Sequence, residues 1–176
     1  IGIPKELRVG ETRVATSPDM IKKLVGLGIE IMVESGAGTQ AMLPDEVYKN
    51  AGALIGKDAR ETYKDADIIL KVVRPMKGGQ DPNELSMIEH GAVLIGLLEP
   101  LQNKDEVTAY ADAGITAFAM ELLPRISRAQ SMDVLSSQSN LAGYKAVIEA
   151  AASVGPAMPM VAVWYKPQTR PAVRRG

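Results

Sequence analysis

The sequence predicts an α/β fold: a small doubly wound parallel sheet, Rossmann-like or flavodoxin-like, followed by a long linker helix. Three observations carry this. Short apolar runs alternate with amphipathic stretches that open on good helix caps, the alternation expected of βαβ units. One run, Ala92-Val93-Leu94-Ile95-Gly96-Leu97-Leu98, is continuously apolar, which fits a strand covered on both faces. After Met120 the texture changes to a polar stretch leading into a long helical segment.

The elements follow in order. A short strand opens at Ile1–Pro4. Ser17-Pro18 reads as an N-cap with proline at the first helical position; Ile21, Leu24 and Val25 share one face and Gly28 is the stop. The next strands are Ile29–Glu34 and Asp67–Val73, with a capping box at Asp58 and Glu61 between them. Asp81-Pro82-Asn83-Glu84 repeats the proline start with a capping box, Asp81 with Glu84, and Gly91 ends that helix. Strand Ala92–Leu98 follows, then a capping box at Asn103 and Glu106, then strand Ile115–Met120. Right-handed crossovers are expected throughout. In the polar stretch Ser127 with Gln130 reads as one more capping box, and Asp133 as an N-cap. The long helix places Leu141, Tyr144, Ile148 and Ala151 on one face, with Gly155-Pro156 as its end. The organisation read from this is an N-terminal α/β domain over 1–135, a linker helix over 136–155 and an irregular tail over 156–176, rich in Pro, Lys and Arg.

Composition narrows the function classes. Apolar residues make up 46% and charged residues 23%, an ordinary globular mixture. There is no cysteine, so thiolate chemistry and disulfides are excluded. With a single histidine, His90, placed at a helix end before Gly91, no metal site is expected. A net charge of −1 and scarce aromatics argue against nucleic acid. No apolar run reaches the roughly 18 residues needed to span a bilayer, and Ile1-Gly2-Ile3-Pro4-Lys5-Glu6 is no secretory signal. A cytoplasmic setting is the expectation.

Three constellations could carry chemistry. Gly36-Ala37-Gly38-Thr39-Gln40-Ala41 formally fits a dinucleotide fingerprint. Pro44, however, would fall inside the helix whose N-terminus must meet the pyrophosphate. A plain turn is the better reading. Arg13 and Lys71 form the second candidate. A lysine in the run Ile68-Ile69-Leu70-Lys71-Val72-Val73 is costly unless paired or at a cleft; a snorkelling lysine is the alternative. The third is the stretch 124–140, where capping accounts for only part and leaves Arg125, Arg128 and Ser136 unexplained.

The unbroken run from Ala119 to Val147, with Pro124-Arg125-Ile126-Ser127-Arg128-Ala129-Gln130-Ser131-Met132-Asp133 at its centre, resembles the signature loop and linker helix of proton-translocating NAD(P) transhydrogenases, in their alpha subunit or NAD(H)-binding component. Gly2-Ile3-Pro4-Lys5-Glu6, Glu11-Thr12-Arg13-Val14-Ala15, Val33-Glu34-Ser35-Gly36-Ala37-Gly38 and Leu70-Lys71-Val72 are similar to both that family and the related alanine dehydrogenases. The resemblance covers residues 1 to about 160. It implies direct hydride transfer between NADH and NADP+, coupled to proton translocation. In it Arg125 and Ser136 hold and orient the nicotinamide, and Gln130 and Asp133 bring the two rings together. It further implies NAD(H) on this component, NADP(H) on a partner component, a membrane component, a homodimer, and a peripheral place on the cytoplasmic face of the inner membrane.

The resemblance also brings two departures. Alanine dehydrogenases use an Arg and a Lys on the substrate, matched by Arg13 and Lys71, and a His matched here by Glu99. That carboxylate could sit near Lys71 and neutralise it. Past Met158-Pro159-Met160 the family continues into a NAD-binding Rossmann domain, which Val161–Gly176 does not resemble, so this second domain is expected to be missing. An alanine dehydrogenase-like oxidoreductase and a catalytically silent module are the alternative readings.

Overall fold

The structure, a computed structural model, describes residues 1–77, 83–124 and 126–153. The chain divides into two compact units, Ile1–Asp133 and a second beginning at Val134. The first unit holds a six-stranded sheet: β1 (Gly2–Ile3), β2 (Met32–Glu34), β3 (Leu54–Gly56), β4 (Ile68–Val73), β5 (Val93–Leu97) and β6 (Thr116–Ala119). Every pairing is parallel and the spatial order is β3-β2-β1-β4-β5-β6. The doubly wound fold is therefore as the sequence predicts. β3 is not foreseen, because a three-residue edge strand leaves no periodicity to read.

Five helices accompany the strands among the described residues: α1 (Pro18–Gly26), α2 (Asp45–Asn50), α3 (Ala59–Tyr63), α4 (Lys104–Asp112) and, in the second unit, α5 (Val134–Ser153). α1 forms as its caps require. The Ser17 hydroxyl accepts from the Met20 amide, Ile21 is buried, and Gly28 takes a φ of 83°. At α3 the Asp58 carboxylate accepts from the Glu61 amide, while Glu61 reaches the Lys57 amide.

Three capping expectations fail. Glu84 caps no helix: only a 3-10 turn, Leu85–Met87, follows it, Asp81 and Pro82 lie outside the described residues, and His90 sits in a turn. Its carboxylate is drawn into the core by a buried lysine instead. Asn103 precedes α4 without a side-chain cap, because its amide donates to the Glu99 carbonyl. Glu106 is likewise taken by arginines. Ser127–Met132 is a 3-10 stretch entered from Ile126, so Ser127 and Gln130 form no box. Asp133, the residue expected as an N-cap, stands directly before α5. The predicted helix end at Gly155-Pro156 lies outside the described residues.

Two cores lie against the sheet. One gathers Ile3, Ile31, Val33, Ile21 and Tyr48, with α1 and α2. The other gathers Ile69, Leu94, Tyr63 and Tyr110, with α3 and α4. Ile69 belongs to the second and Leu70 packs on the first, so β4 is covered on both faces, as alternation along a strand requires. Coverage is less complete at β5, where Leu94 and Gly96 are buried but Val93, Ile95 and Leu97 only half-buried. In β6 Phe118 is 55% exposed. The both-faces expectation for Ala92–Leu98 thus holds only for alternate residues.

Candidate functional site

In an open parallel sheet the ligand crevice lies outside the carboxyl ends of the strands, where the winding reverses. Here that point falls between β1 and β4. The chain leaves β1 through Pro4, Lys5 and Glu6, and leaves β4 through Arg74 and Pro75.

Lys71 sits in this crevice, and it does not snorkel: its side chain is 1% exposed. Its Nζ lies 2.6 Å from Glu84 Oε1 and 3.3 Å from Glu6 Oε2. Glu84 also accepts from the Tyr63 hydroxyl at 2.9 Å and from the Met76 amide at 2.9 Å. The other oxygen of Glu6 accepts from the Val72 amide at 2.6 Å. The β4–β5 register shifts between Leu70 and Val73, a bulge that locally disrupts the ladder. The bulge needs glycine opposite, since a Cβ on Gly96 would meet the Lys71 carbonyl at 2.7 Å.

Two buried carboxylates thus share one ammonium. Burial raises the Glu6 pKa above its ordinary value of 4.5, and Lys71 only partly opposes this. Its Oε2 is within ion-pair distance of Lys71 yet makes no hydrogen bond of good geometry, so the pairing with Glu84 is the firmer one. Burial also raises the Glu34 carboxyl, which accepts from the Lys5 amide, and it pushes the Tyr63 hydroxyl well up.

Arg13 is engaged differently. Its guanidinium grips Glu11 through Nε at 2.8 Å and Nη2 at 2.6 Å, and these hydrogen bonds lower the Glu11 pKa. Arg13 and Glu6 line one small depression, and Glu6 in turn lies beside Lys71. Glu99 does not neutralise Lys71. Its carboxylate pairs with Arg74, which also lies 3.1 Å from Glu106. Arg8 joins the cluster by donating to the Arg74 carbonyl at 2.9 Å.

The Gly36–Ala41 turn is a turn, not a phosphate cradle. The Gly36 amide donates to Asp45 at 2.8 Å, so a carboxylate of the chain already takes it. Pro44 stands at the N-cap of α2, and a Cβ on Gly38 would strike the Leu43 carbonyl. No group of residues suited to a metal ion occurs among the described residues.

Of the four site residues expected from sequence, Gln130 is exposed on the 3-10 stretch Ser127–Met132, and Asp133 is half-buried at its end. Ser136 is exposed on α5, in the second unit. Arg125 lies outside the described residues. Sequence reasoning missed Glu6, Glu84 and Arg74. The signal was available for the first two, because a lysine inside an apolar strand demands carboxylate partners.

The family description "Alanine dehydrogenase/PNT, N-terminal domain" matches residues 2–142. The chain belongs to this family. Among curated relatives it is 53% identical over 161 residues to the first portion of NAD(P) transhydrogenase subunit alpha of Rhodospirillum rubrum, covering 92% of this chain and 42% of that protein. It is 33% identical over 146 residues to alanine dehydrogenase of Bacillus subtilis, covering 83% and 36%. A solved transhydrogenase from Sinorhizobium meliloti matches with a TM-score of 0.83 at 51% identity, over 90% of this chain and 46% of that one. The chain therefore spans less than half the length of these relatives. Within the family it stands nearer the transhydrogenases, and alanine dehydrogenase is a distant relative. No helix among the described residues is long and apolar enough to cross a membrane.

Proposed function

We propose that this chain is the N-terminal domain of the NAD(H)-binding component of a proton-translocating NAD(P) transhydrogenase. The observation that supports this most is its greater likeness to transhydrogenase alpha subunits than to alanine dehydrogenases. Arg125 and Ser136 hold and orient the nicotinamide of NAD(H); Gln130 and Asp133 bring it against the nicotinamide of NADP(H), held by a partner component. A membrane component, a homodimer and a peripheral place on the cytoplasmic face of the inner membrane complete the reading.

The residues fit this division of labour. The exposed carboxamide of Gln130 offers both donors and an acceptor to a ring edge. The Gly36–Ala41 turn, with Asp45 on its first amide, does not fit a pyrophosphate. When bound, the nicotinamides supply the hydride chemistry. The chain contributes proximity and orientation, which reach about 7–11 kcal/mol in well-aligned reactions. No side chain of the segment has to accept a proton.

An alanine dehydrogenase-like activity is the second reading, and Glu99 speaks against it. Amine oxidation needs a proton acceptor beside the substrate nitrogen, and this carboxylate is committed to Arg74. A full-length subunit carrying this domain, mixed with its NADP(H)-binding component, is expected to reduce an NADP+ analogue with NADH. It is expected not to produce NADH from L-alanine and NAD+ at alkaline pH. Robust alanine oxidation would sink the transhydrogenase reading; alanine oxidation appearing only in Glu99→His would support it.

A further inference from the structure

The 126–133 segment is largely exposed: Ala129 is 5% exposed and Asp133 half-buried, and the other residues, Ile126 and Met132 included, are exposed. Its path from the sheet is set just upstream. Glu121 lies in the 3-10 turn Met120–Leu122, directly after β6. Its carboxylate accepts from the Leu98 amide at 3.0 Å and from the Glu99 amide. Two successive amides converge on one carboxylate, and Glu99, which carries the second, takes a φ of 48°, a left-handed conformation that costs a non-glycine residue free energy and persists only when its surroundings impose it. Arg74 pairs with the Glu99 side chain, and the Glu99 carbonyl accepts from Asn103 Nδ2 at 3.0 Å. The next residue, Leu122, lines an apolar depression together with Leu98 and Tyr110.

We propose that Glu121 is a positioning residue for hydride transfer: its grip on the Leu98 and Glu99 amides fixes where the following segment carries Gln130 and Asp133. This rests on the transhydrogenase reading. Glu121 acts through the backbone rather than on a cofactor. A carboxylate accepting two amide hydrogens makes charge-assisted bonds, stronger than neutral ones. Gln keeps one acceptor oxygen; Ala keeps none.

The test has two arms. Amide hydrogen exchange on the 176-residue chain compares wild type, Glu121→Gln and Glu121→Ala. Glu121→Ala is expected to speed exchange about tenfold or more at Leu98, Glu99 and residues 126–132, with β1 and β4 unchanged, and Glu121→Gln to fall between. In a full-length subunit carrying this domain, with its NADP(H)-binding component, Glu121→Ala is expected to lower kcat about tenfold or more at nearly constant KM for NADH. Exchange in 126–132 within about twofold of wild type would overturn the proposal, as would an equal loss of protection in every strand. An unchanged kcat would overturn it as well. A wild-type subunit lacking hydride transfer would overturn the functional reading and the positioning role with it, while the exchange arm still decides whether Glu121 anchors the segment.

Discussion

Two polar regions of the first unit are built in opposite ways. Around Lys71 the charged groups are buried and paired: Glu6 and Glu84 converge on a side chain that is 1% exposed, and Tyr63 donates to Glu84. Along 126–132 the polar side chains are exposed, and burial falls on an alanine. The difference teaches where chemistry can reside. A buried charge has to be paired before any ligand arrives, because desolvation costs several kcal/mol per ion. A group that is to meet a cofactor has to remain reachable. At the switch point, where an open sheet would ordinarily take a ligand, the chain's own carboxylates pair with Lys71.

The comparison breaks most sharply at Lys71. Lys71→Met leaves Glu6 and Glu84 buried without their cation and is expected to cost about 3–5 kcal/mol, read from the urea midpoint at neutral pH. A loss below about 1 kcal/mol, the size of an ordinary substitution, would show that the crevice admits enough water to solvate both carboxylates.

Glu6 sharpens it with pH. Burial raises its folded-state pKa above 4.5, so the folded chain holds this proton more tightly than the unfolded chain. The stability it contributes is complete below about pH 4.5 and is lost as pH rises through the folded value. Glu34 shares this sign and Glu11 opposes it, so the informative quantity is the difference between Glu6→Gln and wild type. Glu6→Gln is expected to be the more stable at pH 8, by more than the ~0.5 kcal/mol of a surface change, and to lose that advantage toward pH 4. A difference that does not vary with pH contradicts the assignment.

The smallest effect on stability is expected in the exposed region. Gln130→Asn should alter stability by no more than about 0.5 kcal/mol, since it removes no buried contact. Thermal unfolding checks this, and a larger loss would make Gln130 part of the packing.

The same contrast decides what could be read from sequence. β1, β2, β4, β5 and β6 were legible because apolar runs bounded by Gly, Pro and caps repeat along the chain, and α1 because Ser17-Pro18 and Gly28 bracket one apolar face. Lys71 was legible as an anomaly, but its partners were not. Glu84 also fitted a capping box, and local spacing cannot tell a cap from a carboxylate pulled inward by a lysine thirteen residues away. Glu106 and Asn103 misled in the same way, through long-range pairing to Arg74 and through the Glu99 corner. The roles of Arg125, Gln130, Asp133 and Ser136 came only by resemblance, since no periodicity marks a polar stretch as more than a loop. Glu121 gave no signal at all, because its role depends on two amides, just beyond the end of β5, brought beside it by the sheet.

The central claim is that the exposed segment acts on ring placement and not on affinity. It is tested most directly by Gln130→Asn in a full-length subunit carrying this domain, with hydride transfer to an NADP+ analogue and NADH binding measured on the same preparation. The expected result is a rate lower by about tenfold or more, with the NADH dissociation constant within about threefold of wild type, as follows when an interaction is made mainly in the transition state. A dissociation constant that weakens in step with the rate would make Gln130 an ordinary binding residue and would contradict the claim.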